Sequence, residues 1–106
     1  MPEVDIQQAK TLIDAGALVI DVRGETQFAA RYIPGAVLVP LEILRAGIPA
    51  LIASAANKPV VVYCGDGVAH GPEGTHILQQ AGFANVVNLK PDIEGWAAAG
   101  MPLIKG

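Results

Sequence analysis

The sequence predicts an α/β domain with a mainly parallel open sheet and helices on both faces. Three observations predict it. Short apolar runs alternate with amphipathic stretches along the whole chain, as strands joined by crossover helices do. The runs at 17–22 and 60–63 are nearly continuous in apolar residues rather than alternating, which suits strands covered on both sides. Glycine and proline fall between the runs, where turns are needed.

The elements follow in order. Asp5 precedes a face made by Ile6, Ala9, Leu12 and Ile13, so Asp5 is an N-cap and Gly16 a stop. Residues 17–22 form the first buried strand, and 24–32 a short helix halted before Ile33-Pro34-Gly35. Residues 36–39 are a second strand, closed by Pro40. One or two helical turns follow at 41–45, then a helix over 48–56 opening near Pro49. Residues 60–63 are the most β-prone run. Cys64 ends it, and residues 65–71 form a glycine-rich loop. Pro72 and Glu73 open a helix through Gln80, which Ala81-Gly82 stops. Another strand spans 85–89. Pro91 and Asp92 open a last helix through Ala99, stopped by Gly100, before a short apolar tail. Trp96, with Ile93 and Leu89, is expected in the core.

Composition sets the function classes. At 106 residues and 52% hydrophobic, with a net charge of −3, the chain is read as one domain over 1–106 and not as disordered. One cysteine excludes an intrachain disulfide and a Cys-rich zinc site. The 7 basic residues are scattered, with no basic stripe interleaved with aromatics, which speaks against nucleic acid. The longest apolar stretch, 48–56, is far short of the ~18 residues of a membrane span. The opening MPEVDIQQ has no signal-peptide layout. These features predict a cytoplasmic protein in which a thiol survives.

The chemistry concentrates between Val60 and Gln80. In an open parallel sheet, sites lie at the carboxyl ends of strands, where Cys64 stands. Gly65, Gly67 and Gly71 let the backbone curl so that consecutive N–H groups point inward. The helix that follows adds the positive end of its dipole. Such a cradle lowers a thiol pKa and stabilises an anionic adduct. The alternative for Cys64 is a packed hydrophobe at the end of a buried strand.

The chain resembles the single-domain rhodaneses over roughly residues 2–104. The resemblance rests on Asp21-Val22-Arg23 with Glu25 and Phe28, and on Ile33-Pro34-Gly35-Ala36. It continues through the strand into Cys64, then Ala81-Gly82-Phe83 with Asn85-Val86 and Asn88-Leu89. Ile93, Gly95, Trp96 and Ala99-Gly100-Met101-Pro102 complete it. It implies a rhodanese-like fold in which Cys64 accepts a sulfane sulfur and becomes a persulfide. The amides of Gly65, Asp66, Gly67, Val68, Ala69 and His70 would bind the transferred sulfur and the donor. Asp21 and Arg23 would support that loop. The implied partners are a small-molecule or protein-bound sulfane-sulfur donor and a thiol or cyanide-like acceptor, with no cofactor and no metal. The scheme is two-step covalent catalysis.

Departures from the family pattern refine this reading. The segment after Cys64 carries no lysine or arginine, and Asp66 would repel a dianion such as thiosulfate. A donor other than thiosulfate is therefore expected. The loop resembles in length those of rhodanese-fold phosphatases and arsenate reductases, which need an arginine six positions after the cysteine; here that residue is His70. Phosphatase activity therefore ranks below sulfur transfer. His70 is either a partner or proton shuttle for the thiolate or an exposed loop histidine, and His76 is read as an exposed helix residue. The competing function is a non-enzymatic module that carries or senses sulfur, or binds a partner, through the same loop.

Overall fold

Parallel strands with buried faces need crossover helices, and the chain supplies them in alternation. The computed structural model describes residues 3–65, 70–90 and 92–105. Strand β1 (Glu3–Val4) leads into helix α1 (Ile6–Asp14), then β2 (Leu18–Asp21) and α2 (Glu25–Ala30). Two short strands follow, β3 (Arg31–Tyr32) and β4 (Val37–Leu38), and two short helices, α3 (Leu41–Ala46) and α4 (Ala50–Ala53). The second half reads β5 (Pro59–Tyr63), α5 (His70–Gln80), β6 (Asn85–Leu89), α6 (Asp92–Ala98) and β7 (Ile104–Lys105).

Five strands form one parallel sheet in the order β1-β6-β5-β2-β4. β5 lies at its centre, with Val61 opposite Val19 on one side and Val87 on the other. The two-residue side-chain period of β5 divides the core. Val60, Val62 and Cys64 face a cluster with Leu44, Ile52 and Leu78 from α3, α4 and α5. Val61 and Tyr63 face the opposite cluster, with Ala9 from α1 and Ile93 and Trp96 from α6. Residues 60–63 are fully buried, so the continuous apolar run is explained by helices on both faces.

Local chemistry sets the boundaries. The Asp5 carboxylate accepts from the Gln8 N–H at 2.8 Å, and the Gln8 side chain accepts from the Asp5 N–H at 2.9 Å. This reciprocal cap starts α1 where the sequence places it, a contribution of about 1 kcal/mol. Helix α5 lies close on the sheet because Gly74 has no side chain. A Cβ there would sit 3.1 Å from Val22 Cγ1 and 3.6 Å from Val62 Cγ1.

Three helices depart most from the sequence reading. The helix expected over 24–32 ends at Ala30, because Arg31 and Tyr32 turn extended and pair antiparallel with Lys105 and Ile104. The helix expected over 48–56 contracts to Ala50–Ala53. The helix after Cys64 starts at His70 rather than at Pro72. Pro72 is still tolerated, since N–H groups throughout a first turn lack an intrahelical acceptor. Among the described residues no helix is long and apolar enough to cross a membrane.

Candidate active site

Cys64 is the residue immediately beyond β5, at the carboxyl end of the central strand. It is buried, at 2% exposure, yet it borders a cavity of about 430 Å³. Val22, Arg23 and Gly24 line that cavity from the end of β2, and Gly65 from beside Cys64. Leu41, Glu42 and Arg45 of α3 and Glu94 of α6 contribute to the remaining wall. The cavity thus opens where the carboxyl ends of neighbouring parallel strands meet their connecting loops.

The Cys64 backbone is held on both sides. Its N–H donates to Asp92 Oδ1 at 3.1 Å, and its carbonyl accepts from the Ile93 N–H at 3.2 Å. The chain leaving β6 therefore grips the Cys64 backbone with two consecutive residues. Asp92 makes this contact with φ at 65°, a left-handed backbone conformation that aspartate tolerates better than most residues.

Beside Cys64, Asp21 and Arg23 form a buried, two-pronged ion pair. Arg23 Nε donates to Asp21 Oδ1 at 3.0 Å and to Oδ2 at 2.9 Å, and Nη2 donates to Oδ2 at 2.7 Å. The same Nη2 donates to the Arg31 carbonyl at 2.5 Å. The guanidinium carbon stands 5.6 Å from the centre of the Tyr63 ring, within cation–π range. Burial opposes the Arg23 charge, but the hydrogen bonds and charge of Asp21 outweigh it and raise the guanidinium pKa. Burial, followed by the Asp21 charge, pushes the Tyr63 phenol well above its usual range. Its hydroxyl is neutral and accepts from the Ile33 N–H at 3.2 Å.

Gly65 completes the arrangement by close approach. A Cβ at Gly65 would lie 2.8 Å from Arg23 Cδ, so the Arg23 side chain passes over a backbone that only glycine leaves open. Farther out, Arg45 is paired with Glu73 of α5 at 2.6 and 2.9 Å, which raises the Arg45 pKa. Glu94 is paired with Arg31. The cations on the cavity wall are thus each matched by a carboxylate.

Of the residues singled out from sequence, Cys64, Gly65 and Arg23 border one cavity, and Asp21 holds Arg23. Asp66, Gly67, Val68 and Ala69 lie outside the described residues. His70, expected in the loop, is the first residue of α5; its side chain is outside the described set. His76 is exposed on α5. Among the described residues no three of His, Cys, Asp and Glu group as metal ligands. The sequence reading missed Asp92, seen only as a helix opener, and the cavity residues Glu42, Arg45 and Glu94. Asp92 carried one signal: an aspartate just before an apolar helix can adopt a left-handed turn and still accept hydrogen bonds.

The model of the rhodanese-like domain matches residues 5–99. The chain belongs to that family. The rhodanese-like chain is 36% identical over 91 residues to the protein YibN of Escherichia coli, covering 85% of this chain and 62% of the relative. It therefore spans about three-fifths of that relative's length. It is 29% identical over 102 residues to the thiosulfate sulfurtransferase GlpE of Haemophilus influenzae, covering 95% and 92% of the two chains. The fold superposes on the crystal structure of a thiosulfate sulfurtransferase from Pseudomonas aeruginosa with a TM-score of 0.83. That pair is 26% identical, and the match covers 99% of this chain and 20% of the other. The rhodanese-like fold expected from the resemblance is the fold observed.

Proposed function

We propose that the chain is a sulfurtransferase that moves a sulfane sulfur from a donor to a thiophilic acceptor through a persulfide on Cys64. On this reading residues 1–106 act as one rhodanese-like unit in a reducing, cytoplasmic setting. The observation that carries the reading is the position of the only cysteine, at the end of the central strand and against the cavity. The Cys64 thiolate attacks the sulfane sulfur, forming an S–S bond as the donor's bond to that sulfur breaks. The leaving group departs with the electron pair. A thiol or cyanide-like acceptor then attacks the outer sulfur, and the Cys64 thiolate is released. The two steps balance without oxidant, reductant or cofactor.

The chain's own residues have defined parts. Asp92 and Ile93 hold the Cys64 backbone, and Arg23 covers Gly65 while locked on Asp21. The amides from Gly65 to His70 receive the transferred sulfur.

Intact-mass spectrometry tests the reading. Incubation with a sulfane donor is expected to add about 32 Da, one sulfur atom, and cyanide or dithiothreitol to remove it. Cys64→Ser is expected to abolish the adduct. Absence of the adduct with thiosulfate, mercaptopyruvate and glutathione persulfide alike, or its persistence in Cys64→Ser, overturns the proposal. Turnover that stops after one sulfur per chain would favour the carrier or sensor reading over the enzyme.

A further inference from the structure

One helix brings a pair of opposite charges to the cavity. Glu42 and Arg45 both border it from α3, three residues apart. Side chains at that spacing share a helix face. Other polar side chains of the wall are engaged within the chain. Arg23 is held by Asp21 and Glu94 by Arg31, and Gln27 Oε1 accepts from the Gly24 N–H. Glu42 is exposed and makes no hydrogen bond or close ion pair among the described residues. Arg45 is exposed too, and it is held on one edge: Nε and Nη2 donate to the two carboxylate oxygens of Glu73. A guanidinium presents five N–H donors in a planar fork, so the edge that bears Nη1 can receive a second carboxylate. Among the described residues no acceptor meets Nη1. Glu73 thus orients the fork without filling it.

We propose that Glu42 and Arg45 are specificity-determining residues that select an amino-acid thiol as the acceptor of the sulfur on Cys64, Glu42 taking its α-ammonium group and Arg45 its α-carboxylate. The proposal rests on the sulfur-transfer reading and names its acceptor class. An α-amino acid carries both charges on one carbon, so its head matches two opposite side chains on one helix face. Cys64 borders the same cavity, whose volume of about 430 Å³ lies in the range that takes a small organic molecule. The acceptor thiol gives its proton to solvent, and the thiolate attacks the outer sulfur of the Cys64 persulfide. A new S–S bond forms on the amino acid as the bond from that sulfur to Cys64 Sγ breaks. Cys64 leaves as a thiolate with the electron pair. The product is the persulfide of the amino acid, and no oxidant or reductant is consumed.

The test loads the full chain with sulfur, removes the donor and follows single-turnover discharge by intact mass, as loss of the adduct of about 32 Da. The acceptors are cysteine, with both head charges, cysteamine, with the ammonium alone, mercaptopropionate, with the carboxylate alone, and mercaptoethanol, with neither. Each rate is divided by the mercaptoethanol rate of the same sample, so partial loss of folded protein cancels. In Glu42→Gln the cysteine and cysteamine ratios are expected to fall about fivefold from the parent, the size of one surface ion pair, and the mercaptopropionate ratio not to fall. In Arg45→Gln the cysteine and mercaptopropionate ratios should fall by a similar factor, and the cysteamine ratio should not. Cysteine is the deciding acceptor. Its head has no net charge, so a diffuse field at the cavity leaves its ratio in place, whereas loss of a direct contact lowers it. A cysteine ratio unchanged in either variant, or single-charge ratios that do not sort by charge, overturns this inference and leaves the sulfur-transfer reading intact. Failure of the parent protein to load from any sulfane donor overturns both.

Discussion

Asp21 and Asp92 are two nearly fully buried carboxylates that flank the end of β5, one at the end of β2 and the other at the head of α6. Asp21 meets a guanidinium in a two-pronged pair, and that cation is tied in turn to the Arg31 carbonyl. Asp92 meets the backbone N–H of Cys64. The first carboxylate closes its charge within a local network and stiffens the wall of the cavity. The second holds the Cys64 backbone from the connection that leaves β6. Burial alone therefore does not tell what a carboxylate does for a site; the partner decides whether it pins a side chain or a backbone.

The comparison breaks most sharply at Asp21. Removing it leaves the guanidinium of Arg23, a residue only 8% exposed, without its counter-charge. Breaking a buried pair from one side costs about 3–5 kcal/mol, because the remaining ion has lost its solvation and its partner. Asp21→Ala is therefore expected to lower the unfolding free energy by about that amount in urea titrations. A loss below about 1 kcal/mol would mean that Arg23 escapes to solvent. Asp21 would then be no more committed to the fold than a surface carboxylate, and the contrast with Asp92 would fall.

A smaller effect is expected at Gly65, which tests whether the Arg23 side chain is held in place. The Cβ of Gly65→Ala would meet Arg23 Cδ at 2.8 Å, and the guanidinium beyond that atom is anchored on Asp21 and on the Arg31 carbonyl. Overpacking of this kind costs about 1–3 kcal/mol. In an Arg23→Ala background the obstruction is gone, so the same glycine change should be nearly neutral. A double-mutant cycle in urea reads the difference as coupling. Additive losses would show that Arg23 yields freely and that the network is not rigid.

How much of this was legible in the sequence follows from the range of each interaction. The α1 cap joins residues three apart, and Asp5 ahead of an amphipathic stretch marked its place. The buried strand into Cys64 was legible because burial on both faces leaves an unbroken apolar run. The Arg31–Tyr32 strand was not, because its pairing with Ile104 and Lys105 spans most of the chain and nothing local demands it. Asp92 was hidden for the same reason. Its contact with Cys64 crosses 28 positions and exists only because β6 lies beside β5. The Arg45–Glu73 pair across the cavity rim has the same separation and was equally silent. The start of α5 was misplaced because proline marks the first turn of a helix without marking its first residue.

The finest test of the Asp21 network is the pH dependence of stability at Tyr63. This tyrosine is fully buried, and its hydroxyl accepts from the Ile33 N–H. Burial first, and then the nearby Asp21 charge, raises its pKa in the folded state. The unfolded chain releases the phenol proton near pH 10, whereas the folded chain keeps it. A raised folded pKa means stability that is fully present below the unfolded value and is lost as pH climbs toward the folded one. Above about pH 10 the loss from this group approaches about 1.4 kcal/mol per pH unit. Tyr63→Phe removes the titration and also leaves the Ile33 N–H without this acceptor, a loss of about 1 kcal/mol at neutral pH. The variant should thus be the less stable protein at pH 8 and should lose stability less steeply above pH 10, so that the two curves converge. Urea unfolding at a series of alkaline pH values measures both slopes. Parallel slopes would mean that the phenol ionises as freely in the folded chain as in the unfolded one. In that case water would reach the phenol in the folded chain, and the Asp21 network would not seal this side of the core.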